Sequence, residues 1–263
     1  MRTVITFLTD FGLDDPYVAI CHGVLARFSP ESRVVDVTHL VPPQDVRRGA
    51  AVLERTVAWY PPAVHLAVVD PGVGTRRRAI AVAAGEHILV GPDNGLLLPA
   101  ADALGGVGLA VELTDETRFL HPASRTFHGR DVFSPCAGQI AAGTPLPSFG
   151  EEIDPAGLVR LPAPRLDVSD GWLTCEVTYV DRFGNLRLSA GPDELAAAGL
   201  GDTVAVGVHG RSATVAESYG GVPAGALVLY VESTGALELA VNHGSAAATL
   251  ELGAGDGVKL TAA

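Results

Sequence analysis

Short apolar runs that end at acidic or glycine-bearing loops dominate the first 150 residues. Residues 3–9 and 64–69 are almost continuously apolar, as expected for strands covered on both faces of a sheet. The predicted strands are residues 3–9, 33–37, 64–69, 79–83 and 87–91, and the predicted helices are residues 17–28 and 45–59. Because strands and helices alternate, this part is predicted to form an α/β sandwich-like domain with a central, mostly parallel sheet.

The pattern changes after about residue 150. Pro155, Pro162 and Pro164 interrupt a loop-rich stretch, and from Gly171 onwards short strand-like runs alternate with turns rich in Gly and Asp. The predicted strands here are residues 173–180, 203–208, 227–231, 237–241 and 248–252, with one helix at residues 192–198. This spacing is typical of a small β-barrel. We therefore predict two domains, an α/β domain at residues 1–160 and a β-barrel domain at residues 168–263.

Composition narrows the range of partners and compartments. Hydrophobic residues make up 48% and charged residues 18%, which is enough apolar content for a sizeable core, and the net charge is −12. The negative charge argues against binding to nucleic acid or to an anionic membrane surface. The chain has no apolar run of about 18–20 residues and no signal-peptide pattern at its start, so we expect no membrane segment. Three separated cysteines without a CxxC motif favour the reducing cytoplasm.

Two acidic loops follow predicted strands. Asp10 comes after the first strand and Asp70 after the third, and ligands of open α/β sheets bind at the carboxyl ends of strands. An isolated aspartate at such a position is more often a turn former or a helix cap. Residues 70–78 read Asp-Pro-Gly-Val-Gly-Thr-Arg-Arg-Arg, which lacks the GK[ST] ending of a phosphate-binding loop. In this segment the acid can fold back onto a following arginine as an ion pair.

A third segment places a histidine beside glycine and charge. Residues 126–131 read Thr-Phe-His-Gly-Arg-Asp, and His128 can reach a cleft from such a loop. A histidine can move protons or orient a water near neutral pH. We assign the neighbouring Arg130–Asp131 pair to structure. The chain contains neither an HxH nor an HExxH spacing, so the sequence gives no support for a metal site.

Six short motifs occur in order along nearly the whole chain. They are residues 9–12, 69–75, 91–97, 126–133, 181–185 and 241–242. Together they resemble the S-adenosylmethionine hydroxide adenosyltransferase family, whose relatives include the fluorinase and the chlorinase. The resemblance implies an α/β domain joined to a β-barrel, and a homotrimer with each active site between the N-terminal domain of one subunit and the C-terminal domain of the next. It also implies that a water-derived hydroxide attacks ribose C5′ of S-adenosylmethionine, giving adenosine and L-methionine.

The resemblance also implies site residues. Asp70, Arg77 and His128 match the family's water-activating triad, and Asp10 matches the carboxylate that binds the ribose hydroxyls. The matching residues of the C-terminal part are Asp181 for the methionine amine, Ser233 for its carboxylate, and Phe183, Asn185 and Asn242 for the adenosyl pocket. We expect neither a metal nor a cofactor, since S-adenosylmethionine is the substrate.

Alternative functions remain at this point. A halide-using enzyme of the same family would make a 5′-halo-adenosine, but the negative charge of Asp70 disfavours an incoming anion, and Gly129 stands where the fluorinase has a serine. A metal-dependent hydrolase of nucleoside-like substrates would use Asp10, Asp14, Asp70 and His128 as ligands. A nucleoside-binding protein without catalysis would retain the scaffold alone.

Overall fold

The computed structural model describes residues 3–207 and 210–263. The chain divides into two compact units, Met1–Leu161 and Pro162–Ala263. None of the helices in the described part of the chain is long and apolar enough to cross a membrane.

A six-stranded sheet is the centre of the first unit within residues 3–161. Its strands are β1 (Val4–Thr9), β2 (Arg33–Thr38), β3 (Ala63–Val68), β4 (Ala79–Ala84), β5 (His87–Pro92) and β6 (Leu109–Glu112). The strand order is β2-β1-β3-β5-β4-β6. β1 pairs in parallel with β2 and β3, and β3 pairs in parallel with β5, whereas β4 is antiparallel to both neighbours. The prediction of a mostly parallel sheet is confirmed.

Helices cover both faces of this sheet. They are α1 (Tyr17–Phe28), α2 (Val46–Val57), α3 (Leu98–Ala103) and α4 (Ser134–Ala141), with 3₁₀ turns at Glu116–Arg118, Leu146–Phe149 and Pro155–Gly157. Side chains alternate along a strand, so Phe7 of β1 packs with Leu25 of α1 and Cys136 of α4, and Leu8 packs on the opposite face with Leu53 of α2. Every residue of β3 is buried because the sheet lies between two helical layers.

The parallel pairing of β1 with β3 brings two acidic loops to one edge of the sheet. Thr9 at the end of β1 is in register with Val68 at the end of β3. The next residue on the first strand is Asp10, and Asp70 comes two residues after Val68. Both loops therefore begin at the same carboxyl edge, where α/β sheets bind ligands.

The second unit is a closed β-barrel. Its strands are β7 (Leu166–Ser169), β8 (Trp172–Val180), β9 (Leu186–Leu188), β10 (Thr203–Val206), β11 (Arg211–Val215), β12 (Leu227–Val231), β13 (Leu237–Val241) and β14 (Gly257–Ala262). Seven of these described strands, β8 to β14, close the barrel through the pairing of β14 with β8, and β7 lies on the other edge of β8. Every second residue of β8 points into the barrel core, namely Leu173, Cys175 and Val177. The predicted barrel is confirmed.

One predicted barrel strand is wrong. Residues 248–252 belong mostly to the helix α6 (Ala246–Leu250), which follows α5 (Pro192–Ala197) and the 3₁₀ turn Tyr219–Gly221. Ser245 caps α6 by accepting a hydrogen bond at its hydroxyl from the backbone N–H of Ala248, and alanine favours helix over strand. The strand predicted at residues 203–208 is β10, and Val208 lies outside the described residues.

Candidate active site

A cavity of about 240 Å³ opens at the carboxyl edge of the first unit's sheet. Asp10 and Asp70, from the loops after β1 and β3, lie in its wall with His128. The aromatic side chains of Phe11 and Phe127 complete an apolar side. The cavity thus combines two carboxylates and an imidazole with aromatic surface, as small-molecule sites usually do.

Asp70 and Arg77 form a buried ion pair beside this cavity. The Nε of Arg77 donates to both carboxylate oxygens of Asp70, at 2.9 and 3.1 Å, and Nη2 donates to Oδ2. Their side chains are only 5% and 10% exposed. A pair this well shielded from water is held much more firmly than a surface ion pair. The fold-back expected of the segment at residues 70–78 is present, and Arg77 is the arginine that makes it.

The turn between these two residues is tight and depends on glycine. The backbone N–H of Val73 donates to Asp70 O, and the hydroxyl of Thr75 donates to Gly72 O at 2.7 Å. Gly74 has a φ of +75°, and a Cβ added there would lie 2.3 Å from the carbonyl oxygen of Arg125. The glycine therefore lets the loop after β3 press against the segment that leads to His128.

His128 completes a chain of three groups. The Nη2 of Arg77 lies 2.9 Å from the Nδ1 of His128. A guanidinium can only donate, so Nδ1 accepts, and the neutral ring carries its proton on Nε2. Burial lowers the pKa of His128 below its ordinary 6.5, and the charge of Arg77 lowers it further, against the opposing effect of Asp70 and Asp131. His128 is therefore a neutral imidazole at pH 7 with an N–H left to donate.

Phe133, which the sequence analysis did not single out, supports both basic groups. The guanidinium carbon of Arg77 lies 5.1 Å from the centre of its ring, and the ring of His128 meets it edge-on at 6.5 Å. Phe133 ends the π-helical turn Gly129–Phe133 and is fully buried. Its position within the motif at residues 126–133 was the only signal available for it in the sequence.

Asp10 is oriented by the backbone of a neighbouring loop. Its Oδ2 accepts a hydrogen bond of 2.8 Å from the N–H of Gln44, whose φ of 65° is unusual for a residue with a side chain. The next residue, Phe11, packs edge-on against Phe127 at 5.8 Å. A Cβ added at Gly129 would lie 2.9 Å from the Phe11 ring, so this glycine permits the aromatic contact.

Other charged residues of the motifs have structural partners. Arg130 pairs with the buried Asp131 at 2.6 Å, as predicted. Arg78 pairs with the buried Asp93, also at 2.6 Å. Asn94 donates its amide to the carbonyl oxygen of Val69 at 2.8 Å and so holds the residue that precedes Asp70.

The sequence-predicted residues of the second unit lie in three loops. Asp181 organises the first, because Oδ1 accepts from the backbone N–H groups of Phe183 and Asn185 and Oδ2 accepts from the Asn185 amide, at 2.8–2.9 Å. About three of the roughly four acceptor positions of this carboxylate are thereby used within its own loop. The side chain of Phe183 is 75% exposed.

Ser233 and Asn242 lie in the other two loops. The hydroxyl of Ser233 is 3.4 Å from the carboxylate of Glu232, which is buried and also accepts from the backbone N–H of Thr234. Asn242 donates its amide to the carbonyl oxygen of Val222 at 2.8 Å. The structure brings Asp10, Asp70, Arg77 and His128 together in the first unit, and in the second it joins Asp181 to Asn185.

The ligands of the metal-dependent alternative share a cavity in part, but among the described residues they do not form a group close enough to hold an ion. Within residues 3–207 and 210–263, the group of three or more His, Cys, Asp or Glu side chains close enough to hold an ion is His22, Asp36 and His39. Asp10, Asp14, Asp70 and His128 are not part of that group. The donor geometry therefore gives that alternative no support.

Comparisons with known proteins cover both units. Residues 5–150 match the SAM hydroxide adenosyltransferase N-terminal domain and residues 175–259 the C-terminal domain. The chain is 52% identical over 258 residues to the (R)-S-adenosyl-L-methionine hydrolase of Salinispora tropica, covering 98% of this chain and 97% of that protein. It is 30% identical over 295 residues to the fluorinase of Actinopolyspora mzabensis, covering 99% and 97% of the two chains.

A solved structure has the same architecture. The crystal structure of an uncharacterized conserved protein from Thermotoga maritima matches with a TM-score of 0.91 at 36% identity, covering 98% of this chain and 99% of that one. The matches to the two domain families and to full-length relatives extend across the first and second units alike. The chain therefore belongs to the SAM hydroxide adenosyltransferase family.

Proposed function

We propose that this chain hydrolyses S-adenosyl-L-methionine, with attack of water at ribose C5′, to adenosine and L-methionine. The observation that carries the proposal is the buried series Asp70–Arg77–His128 beside the cavity that Asp10 also lines. The name of the Salinispora tropica relative specifies the (R) epimer, and we propose that epimer as the substrate. S-adenosylmethionine is a small molecule, and the negative net charge suits its cationic sulfonium.

The three groups have different roles toward the water. Bulk water has a pKa of about 15.7, so a site at neutral pH must stabilise the hydroxide that develops during attack. Asp70 accepts a proton from the water, and the Nε2–H of His128 donates a hydrogen bond to its oxygen. Arg77 supplies a permanent positive charge and holds both partners in place. The proton taken from the water passes from Asp70 to solvent.

The position of the substrate in the site also contributes to the rate of hydrolysis. Asp10 binds the ribose hydroxyls and so places C5′ in line between the water and the departing sulfur. The C5′–S bond breaks as the C5′–O bond forms, and methionine leaves as a neutral thioether that needs no acid. The positive charge of the sulfonium disappears in this step, so the apolar wall of Phe11 and Phe127 suits the reaction.

The carboxylate of Asp70 also decides between nucleophiles. The ionised carboxylate of Asp70 repels a halide, because both are negative. A water, in contrast, can donate a hydrogen bond to that carboxylate. As long as Asp70 is ionised, its pairing with Nε and Nη2 of Arg77 offsets the arginine's positive charge and weakens the attraction for a free halide, whereas a proton passed from water to Asp70 removes that offset. Hydroxide transfer is therefore favoured over halide transfer.

Product analysis tests the proposal. Chelator-treated protein is incubated with each sulfonium epimer, with and without chloride, and the products are separated by chromatography. We expect adenosine and methionine from the (R) epimer in both salts. A 5′-halo-adenosine formed only with halide would move the protein to the halogenating branch, loss of activity with the chelator would favour the metal-dependent hydrolase, and bound adenosine without turnover would contradict catalysis.

We extend the proposal to assembly and compartment. The resemblance implies a homotrimer, and the 75% exposure of Phe183 supports it, because we expect an aromatic side chain that binds an adenosyl group to be covered in the assembled protein. Three cysteines with buried, free thiols support the reducing cytoplasm. Light scattering at micromolar protein tests the assembly, with a monomer as the contradicting result, and cell fractionation tests the compartment.

A further inference from the structure

A group of two histidines and one aspartate lies outside the cavity of the proposed active site. His22 belongs to α1, Asp36 to β2, and His39 to the loop after β2. The Nε2 atoms of His22 and His39 lie 2.8 and 3.0 Å from the same oxygen, Oδ1 of Asp36. All three donor atoms lie within 4.8 Å of one another.

The simplest interpretation is a hydrogen-bonded His–Asp–His network, and one contact does not fit it. His39 is 3% exposed, and its Nε2 is buried without a hydrogen-bond partner of proper geometry in the described part of the chain. The Nε2 of His39 therefore lies 3.0 Å from Oδ1 of Asp36 without the geometry of a hydrogen bond. A buried polar atom in this position needs a partner.

A second contact of His39 involves the other nitrogen of its ring. Its Nδ1 lies 2.9 Å from the hydroxyl of Thr9. If the ring donates Nδ1–H to that hydroxyl, the lone pair of Nε2 points toward Asp36 and His22. Histidines that bind metals almost always donate their other N–H to such an outer partner.

We propose that His22, Asp36 and His39 bind a divalent transition-metal ion, with Zn²⁺ as the best match. Two imidazoles and a carboxylate are ligands that Zn²⁺ accepts, at about 2.0–2.2 Å, with water in the fourth position. Tetrahedral ligands at that distance lie roughly 3.3 Å apart, so the two contacts to Asp36 need only a small expansion. The side chains of His22 and Asp36 are 36% and 43% exposed, which leaves a path from solvent.

The surroundings favour a structural ion. Phe7 forms a rigid floor, with its ring centre 4.8 Å from that of His39 and 5.8 Å from that of His22. The carbonyl oxygen of His39 accepts from the N–H of Gly12 at 2.8 Å, within the loop that carries Asp10. An ion at this site joins α1 to β2 and stabilises that loop from behind. Asp36 and His39 are three residues apart, but His22 comes from another element, so no spacing in the sequence identifies all three donors.

Zinc titration of the full chain tests the site without reference to its activity. Chelator-treated protein is titrated with Zn²⁺ against a chromophoric competing chelator, and its Tm is measured with and without Zn²⁺. We expect one tight equivalent per chain, a higher Tm with Zn²⁺, and no competition from excess Mg²⁺, which prefers oxygen ligands.

Variants at the exposed members avoid disturbing the core. We expect His22→Gln and Asp36→Asn each to weaken Zn²⁺ binding by about tenfold or more, since even outer-shell partners contribute that much, and to abolish the Tm increase. His243→Asn is the matched control, because it removes an exposed histidine of the second unit and asparagine tolerates its φ of 58°. Wild-type protein that binds no Zn²⁺, or a His22→Gln/Asp36→Asn double variant that binds it as tightly as His243→Asn, would overturn the proposal.

Discussion

Arg77 donates a hydrogen bond from Nη2 to the Nδ1 of His128 at 2.9 Å and thereby fixes which ring nitrogen carries the proton. The neutral ring presents Nε2–H, which is a donor, so in the proposed mechanism we expect His128 to hold the water oxygen rather than to remove its proton. Asp70, which pairs with the same guanidinium, is left as the acceptor. One arginine thus assigns opposite roles to its two neighbours.

The first prediction separates the donor role of His128 from a base role. His128→Gln retains an N–H near the position of Nε2, whereas His128→Phe retains the ring volume and no donor. We expect kcat to fall by about 10²–10³-fold in His128→Phe, as for the loss of one preorganised donor, and by clearly less in His128→Gln. The measurement is kcat at saturating (R)-S-adenosyl-L-methionine. Equal losses in the two variants would argue against the donor role.

The second prediction concerns the acceptor. We expect Asp70→Asn to lower kcat by about 10²–10⁴-fold while adenosine binding is retained, because the amide cannot take the water's proton. Asp93→Asn is the matched control, since Asp93 is also a buried partner of an arginine but pairs with Arg78. It should lower Tm and leave kcat close to wild type. Normal turnover in Asp70→Asn would remove Asp70 from the mechanism.

The third prediction tests the close approach at Gly74. Gly74→Ala places a methyl group 2.3 Å from the carbonyl oxygen of Arg125, so that the segment leading to His128 must move. Gly171→Ala has a similar φ of +82° with nothing within 4 Å of the added carbon. We expect the control to cost about 1–2 kcal/mol of unfolding free energy from the backbone conformation alone. Gly74→Ala should cost more and also lower kcat, as measured by urea unfolding and steady-state rates. If the two variants lost equal stability and both kept wild-type kcat, the contact would be unimportant.

The fourth prediction concerns the pH dependence of stability. Burial, with a smaller effect of the neighbouring His87, lowers the pKa of His65 from 6.5 to about 4. Between about pH 6.5 and pH 4, His65 therefore binds a proton in the unfolded chain but not in the folded chain. The free energy of unfolding falls as the pH drops through this range. Over that window the loss amounts to about 3 kcal/mol from this one group.

His65→Asn isolates the contribution of this histidine. The variant removes the titrating ring, whose Nδ1 lies 2.7 Å from the hydroxyl of Thr6 and whose Nε2 lies 3.0 Å from His87. Unfolding free energies measured between pH 8 and pH 4 should fall less steeply in His65→Asn than in the wild type. The slope that remains comes from carboxylates and from the other histidines whose pKa is lowered, His39, His87 and His128. Parallel profiles for the two proteins would contradict the assignment.

Much of the fold was predictable because local patterns agreed with the tertiary environment. The continuous apolar run of β3 predicted a strand covered on both faces, and all six of its residues are buried. The prediction of a strand at residues 248–252 was wrong. Their sequence, Ala-Thr-Leu-Glu-Leu, is apolar enough for a strand, but Ser245 caps a helix that includes most of them. The strand that completes the barrel, Gly257–Ala262, was not predicted because only two of its residues, Val258 and Leu260, are buried, which makes a short signal in the sequence.

The candidate site was predictable in part. An acid followed by arginines on a glycine turn indicated an ion pair, and Arg77 forms it with Asp70. The contact of Arg77 with His128 spans 51 positions along the chain, and no local pattern specifies it. The same holds for Phe133 beneath both groups, since only the packing of α4 and its preceding turn against the sheet creates that neighbourhood.

The three cysteines are buried, and their burial makes their thiols unreactive toward labelling reagents. Burial raises the pKa of Cys21 to about 11 and that of Cys175 to about 12, and it raises the pKa of Cys136 as well. Reaction with maleimides and iodoacetamides needs the thiolate, so the native thiols stay unreactive at neutral pH while the fold is intact. One cysteine introduced at a surface position would then be the sole labelling site, and a fluorophore or spin probe can be attached to an otherwise unaltered protein.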